Sequence, residues 1–296
     1  MFELYHVSLI DDIDGKWRIL MAAKEFISVE VREPVYYLDE GVTYAQADAW
    51  FGHVTRDLRM DIIYTQSEEK RYPCIIWVCG GFWMQMNRGA HLPYLTELAR
   101  RGFVVASVDY RLGHEAPFPG ALVDIKAAVR YLRAHAKRYS INAEKFGVSG
   151  ESAGGYLASM TALTNSKEFE IGENLNYSSA VQAACPWYAP CDLAKMARET
   201  QIRLPFFNGD INDEQYCRYI NPVTYVTEKA PPFLLLHGTD DTTVPLEQSE
   251  LLYDALTAKK IDARLTALKG EGHAGPQFFQ KPVWDMMAAF FKEKLG

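Results

Sequence analysis

The chain has 296 residues, 48% of them hydrophobic, with a formal net charge of −7. That is enough apolar material for a sizeable core, and the acidic balance with no basic stripe argues against a nucleic-acid binder. No apolar run reaches the length that spans a bilayer. The start, "MFELYHVSLIDDIDGKW", carries acids where a signal peptide needs bases, so the chain reads as cytoplasmic, with a removed signal peptide left open.

In chain order, residues 1–48 read as irregular, with β-prone pieces "FISVEV" (26–31) and "PVYYL" (34–38). "RDLRMDIIYT" (56–65) alternates like a half-buried strand. "CIIWVCGG" (74–81) is a continuous apolar run ending in glycines, as in a strand buried on both faces. The helical period of "LPYLTELARRG" follows, then the strand "FVVASVDY" and the amphipathic helix "GALVDIKAAVRYLRAHAKRY". "KFGVSG" is a short strand that runs through "ESAGG" into the apolar helix "YLASMTAL". "AVQAACPWYAP" is a weaker strand candidate and "PFLLLHG" a strong one. The helix "PLEQSELLYDALTAKK", the strand "DARLTALKG" and the helix "VWDMMAAFFKEKL" complete the series. Such alternation implies a mostly parallel central sheet with helices on both faces, an α/β class. No linker or repeat interrupts it, so one domain over 1–296 is expected. Residues 186–222 break the alternation and are expected to form a small lid or pocket wall.

The five cysteines, Cys74, Cys79, Cys185, Cys191 and Cys217, have no framework spacing and read as free thiols. No C-x-x-C or H-E-x-x-H suggests a metal, and no cofactor is expected.

In an open parallel sheet, ligands gather at the C-terminal ends of the strands. Ser152 stands there in "GESAGG", Asp240 and Asp241 after "PFLLLHG", and His273 after "ARLTALKGEG". A serine hydroxyl needs a histidine to take its proton, and the histidine needs a carboxylate to set its tautomer. G-x-S-x-G between a strand and a helix is the form of a nucleophile elbow, whose triad partners follow as acid and then histidine. Three glycines there are expected to relieve crowding at the bend and to tolerate strained dihedrals. "CGGFW" (79–83), after the first buried strand, offers backbone N–H groups to an oxyanion, and Gly81, Phe82 and Ala153 are the expected donors.

These segments resemble the α/β-hydrolase esterases of the hormone-sensitive-lipase-like and carbohydrate-esterase-like group, which includes acetylxylan and feruloyl esterases. "CGGFW" resembles the group's H-G-G-G-[FW] loop, "DYRLGHEAPFPGALVDIKAAVRYL" its D-Y-R-L-x-x-E-x-x-F-P segment, "HGTDDTTVP" its H-G-x-x-D-x-x-V-P segment and "GEGHAG" its G-x-x-H. The likeness covers roughly residues 70–290. It implies an α/β-hydrolase fold and a carboxylesterase with catalytic Ser152, Asp241 and His273, Asp240 being a neighbour. Asp109, Arg111 and Glu115 are then structural, as are His114 and His237, and His91 stands wrongly in chain order to be the base. Cys79 replaces the group's usual loop histidine, and Phe82 its third glycine.

The expected substrate is a short-chain acyl ester, with acetyl or feruloyl groups on carbohydrates implied by the resemblance. Trp83, Trp187, Tyr188, Phe206 and Phe207 are the candidate binding residues. Alternatives are an arylformamidase-type amide hydrolase and, more remotely, a hydrolase fold that only binds a small molecule.

Overall fold

The structure is a computed structural model and describes residues 7–11, 17–21, 26–49, 53–165, 167–200 and 205–296. Most of the N-terminal stretch read for a signal peptide, and residues 201–204 of the expected pocket wall, lie outside the described residues. The chain divides into two compact units, Met1–Pro34 and Val35–Gly296. In the first, β1 (Val7–Asp11) pairs antiparallel with β2 (Trp17–Met21). "FISVEV" is not a strand: residues 26–31 take no regular structure, because no neighbouring strand pairs with them among the described residues.

The second unit is built on β3 (Tyr37–Ala49), β4 (Val54–Tyr64), β5 (Tyr72–Val78), β6 (Val104–Val108), β7 (Ile141–Glu151), β8 (Ala183–Trp187), β9 (Phe233–Gly238) and β10 (Ala263–Leu268). They form one eight-stranded sheet in the order β10-β9-β8-β7-β5-β6-β4-β3. Neighbours from β6 through β10 run parallel, and β4 is antiparallel to both β6 and β3. The long edge strand β3 replaces the irregular segment expected up to residue 48. Its "DEGVTYAQADA" mixes glycine and acids that favour strands poorly. It is held instead by pairing along β4, with two register shifts.

The helices are α1 (Leu92–Arg100), α2 (Gly120–Ala134), α3 (Ala153–Leu163), α4 (Leu193–Thr200), α5 (Glu214–Ile220), α6 (Glu247–Ala258) and α7 (Lys281–Leu295). Side chains along β5 alternate between the two sheet faces, as the period of a strand requires. Cys74, Ile76 and Val78 join Leu122 and Ile125 of α2, Leu157 and Met160 of α3, and Leu252 of α6. Ile75, Trp77 and Cys79 join Leu95 and Leu98 of α1 with Trp284, Met287 and Phe291 of α7. Both faces are therefore dry, which explains why β5 and β6 read as unbroken apolar runs. This sandwich fixes the C-terminal strand ends, where the chemistry-bearing loops emerge.

Candidate active site

Ser152 follows β7 and is the residue before α3, with φ 53° and ψ −120°. A non-glycine residue there is strained by on the order of 1–3 kcal/mol. Its amide donates to the carbonyl of Trp187 at 2.9 Å, and its carbonyl accepts from Tyr156 N at 2.9 Å. These bonds hold the turn and leave the hydroxyl at its tip. The strain expected at the glycines falls on the serine instead. Gly150, Gly154 and Gly155 are needed for close approach: an added Cβ would stand 2.5 Å from Val78 O, 2.0 Å from Val78 O and 2.8 Å from Trp187 O respectively.

The three residues read from the strand ends meet. His273 Nε2 lies 2.9 Å from Ser152 Oγ, and His273 Nδ1 lies 2.7 Å from Asp241 Oδ2. A carboxylate only accepts, so Nδ1 carries the hydrogen and Nε2 presents its lone pair to the serine hydroxyl. Asp241 Oδ1 accepts from the amides of Thr243 at 2.9 Å and Val244 at 2.8 Å. Burial alone would raise the Asp241 pKa. Hydrogen bonding with His237 and His273 and from the Val244 amide outweighs it and holds the carboxyl well below the usual carboxylate range. Asp240 is exposed and accepts from its neighbour Thr239.

His237 is fully buried beneath this loop. Its Nε2–H is shared between Val244 O at 2.8 Å and Asp241 Oδ2 at 3.5 Å, so its Nδ1 accepts from Ser249 Oγ at 2.7 Å. Buried Glu271 shapes the histidine loop, accepting from Gly272 N at 3.0 Å and Gln277 N at 2.5 Å. Arg111 pairs with Asp124 at 2.7 Å, Asp109 with Arg88 at 3.1 Å, and Glu115 with Arg56. None of these belongs to the Ser152 relay. His91 stacks on Phe279 and, among the described residues, has no hydrogen bond to Ser152, Asp241 or His273, and His114 is exposed.

The loop after β5 turns back through three residues of positive φ, Gly81 (129°), Phe82 (58°) and Trp83 (58°). A Cβ on Gly81 would stand 2.0 Å from Gln85 O. Among the described residues, the amides of Gly81, Phe82 and Ala153 donate to no protein acceptor. Ala153 opens α3, where the helix dipole favours negative charge. The arrangement can receive an oxyanion formed at Ser152.

A cavity of about 220 Å³ opens at Ser152. Phe82, Trp83 and Phe207 line it, with Leu193, Met196 and Ala197 from one face of α4, and Thr242, Thr243 and Val244 beside the acid. Three of the five expected binding residues do not line it. Trp187 is fully buried, packed edge-on against Trp77 at 5.2 Å and Trp284 at 5.1 Å, because period two turns it into the sheet face. Phe206 lies behind Trp83, stacked at 4.4 Å. Tyr188 is buried with its ring edge-on to His273 at 4.8 Å and its hydroxyl 2.8 Å from Glu151 Oε2. Sequence reasoning missed the α4 residues. Their i, i+3, i+4 spacing marks an apolar face but does not say whether it meets a core or a cavity.

Among the described residues, no cluster of three or more histidine, cysteine or acidic side chains could hold a metal ion. No helix among them is long and apolar enough to cross a membrane.

The chain is 30% identical over 195 residues to esterase LipQ of Mycobacterium tuberculosis, covering 63% of this chain and 46% of that protein. It thus spans about half the length of the curated relatives it matches. A truncated carbohydrate esterase from gut microbiota superposes with a TM-score of 0.75 at 28% identity, over 87% of this chain and 96% of that one. Esterase 2 of Thermogutta terrifontis, phosphonylated by cyclosarin, has the same fold, with a TM-score of 0.72 at 24% identity over 89% and 95% of the two chains. The architecture is that of the α/β-hydrolase esterases. The BD-FAE family model matches residues 60–256, from within β4 into α6, a span that holds the 79–83 loop, Ser152 and Asp241 and stops short of His273; the chain belongs to the BD-FAE family.

Proposed function

We propose that the chain is a carboxylic ester hydrolase that works through Ser152, His273 and Asp241. The observation that carries this reading is the continuous Asp241–His273–Ser152 hydrogen-bonded relay beside three amides that donate to no acceptor among the described residues. Ser152 Oγ attacks the ester carbonyl while His273 Nε2 takes its proton. The carbonyl oxygen becomes an oxyanion held by the amides of Gly81, Phe82 and Ala153. The tetrahedral species collapses as His273 gives that proton to the departing alkoxide. Water, deprotonated by His273, then frees the acid and restores the serine.

The cavity supports the acyl side of the substrate class. Among the described residues its lining offers Trp83, Leu193, Met196, Ala197, Phe207 and Val244 and no charged side chain, which supports an uncharged, short apolar acyl group. The likeness to a carbohydrate esterase suggests a sugar hydroxyl as the alcohol. Of the two acyl groups that the sequence resemblance implies, acetyl is the short one this lining suits, and feruloyl is the larger.

The test is labelling with a fluorophosphonate, together with turnover of acetyl, butyryl, octanoyl and feruloyl esters beside acetylated xylan and N-formylkynurenine. Labelling of the wild type at Ser152, its loss in Ser152→Ala and turnover of short esters are expected. Equal labelling of both proteins would overturn the nucleophile. N-formylkynurenine turned over faster than every ester would overturn the ester preference.

A further inference from the structure

Glu151 separates Gly150 from the nucleophile, and its side chain is only 13% exposed. Its Oε1 accepts from Gly80 N at 3.3 Å, and its Oε2 accepts from the Tyr188 hydroxyl at 2.8 Å. Gly80 precedes the two loop amides offered to the oxyanion. Tyr188 walls the ring of His273. Burial first, and Glu151 second, raise the Tyr188 pKa well above its ordinary value, so the hydroxyl keeps its hydrogen and donates. His91 completes the surroundings, with Nε2 at 3.8 Å from Glu151 Oε1 and Nδ1 at 3.8 Å from Cys79 Sγ.

The loop needs such a restraint. Three successive residues of positive φ, two of them bulky, persist only where neighbours over-determine them. Tyr110 Oη donates to Cys79 O at 2.8 Å and Gly113 N to Trp83 O at 2.7 Å, which ties the loop to the segment after β6. Met84 N and Gln85 N close it on Gly81 O. Among the described residues, the Gly80–Glu151 bond is the one of these that reaches the elbow.

We propose that Glu151 is a positioning residue for the oxyanion hole, its one carboxylate setting the Gly81 and Phe82 amides in register with Ser152 and with the imidazole of His273. This rests on the serine-esterase reading. A hydrogen-bond donor moved by an ångström from a developing charge costs on the order of 100-fold in rate, whereas ground-state binding in the apolar cavity is untouched.

Glu151→Ala is therefore expected to lower kcat on p-nitrophenyl acetate by on the order of 10- to 100-fold with little change in KM. The Ki of a trifluoromethyl ketone, which forms an oxyanion on the serine, should rise in parallel. Glu151→Asp keeps the charge but loses the reach and should share the defect. Glu151→Gln should recover most of the rate, because its carbonyl accepts from Gly80 N while its amide donates to Tyr188 Oη. Melting curves establish that each variant is folded, and Asp and Gln suffice if Ala is not. A wild type that is not labelled by a fluorophosphonate at Ser152 sinks the esterase reading and this proposal with it. A labelled wild type with unchanged kcat in Glu151→Asp, or a loss confined to KM, sinks the positioning role alone.

Discussion

A methyl group on Gly154 would stand 2.0 Å from the carbonyl oxygen of Val78 and 2.7 Å from the carbonyl carbon of Cys79. The start of α3 is thus pressed against the end of β5, which brings the elbow and the oxyanion loop together. Glycine to alanine inside a helix ordinarily stabilises by about 1 kcal/mol. Here backbone atoms on both sides must move, and overpacking of that kind costs about 1–3 kcal/mol. Gly154→Ala is expected to be less stable than the wild type in urea and to lose most of its esterase rate. A variant of equal or greater stability would show that the contact relaxes freely.

Asp241→Asn should cost far more activity than Asp240→Asn. The amide at 241 can present its N–H to His273 and reverse the tautomer. In the chymotrypsin-type triad the equivalent change costs about four orders of magnitude in kcat. Asp240 faces solvent and should cost little. Esterase rates of the two variants decide this, and equal losses would refute the register.

The same carboxylate gives a pH signature. Its folded pKa lies below the unfolded value of about 3.9, so the unfolded chain takes up the proton first as pH falls. The stability it contributes is complete well above pH 4 and is lost as pH drops toward the folded value. The difference in melting temperature between wild type and Asp241→Asn should shrink as pH falls below about pH 4. A difference that does not shrink there would contradict the depressed pKa.

Phe82 lines the cavity, is 46% exposed and holds φ at 58°. Its replacement by glycine removes bulk beside Ser152 and also relieves the backbone. The wild type should hydrolyse acetyl and propionyl esters better than octanoyl. Phe82→Gly should shift preference toward longer chains, by up to about 4-fold in kcat/KM for each added methylene that is newly buried. A p-nitrophenyl ester series from acetyl to decanoyl measures both. A wild-type optimum at octanoyl or beyond would refute the short-acyl reading.

Burial pushes the thiols of Cys79 and Cys185 up to about 12, and those of Cys74 and Cys191 higher still. The thiolate is the reactive form, so these four should be inert at pH 8. Ellman's reagent on the native protein should modify at most Cys217, which is partly exposed. All five should react in guanidinium. Native modification of a second thiol would show that the core opens.

That Ser152, Asp241 and His273 would come together was legible without coordinates. Ser152 and Asp241 follow apolar runs that read as buried strands, His273 follows the half-exposed edge strand β10, and parallel strands all end on the same side of a sheet. Chain order alone therefore places the three loops together. The glycines around Ser152 were legible as a sharp turn, but not as contacts, since nothing local to "GESAGG" mentions Val78 or Trp187. The edge strand β3 was missed for a related reason, because its stability comes from β4 and not from its own residues. Trp187, Tyr188 and Phe206 carry the same chemistry as Trp83 and Phe207, and only the latter pair reaches the cavity. An aromatic side chain gains comparable free energy from a core and from a pocket wall. Its type is therefore silent about which it joins, and the packing of whole layers against one another makes that choice.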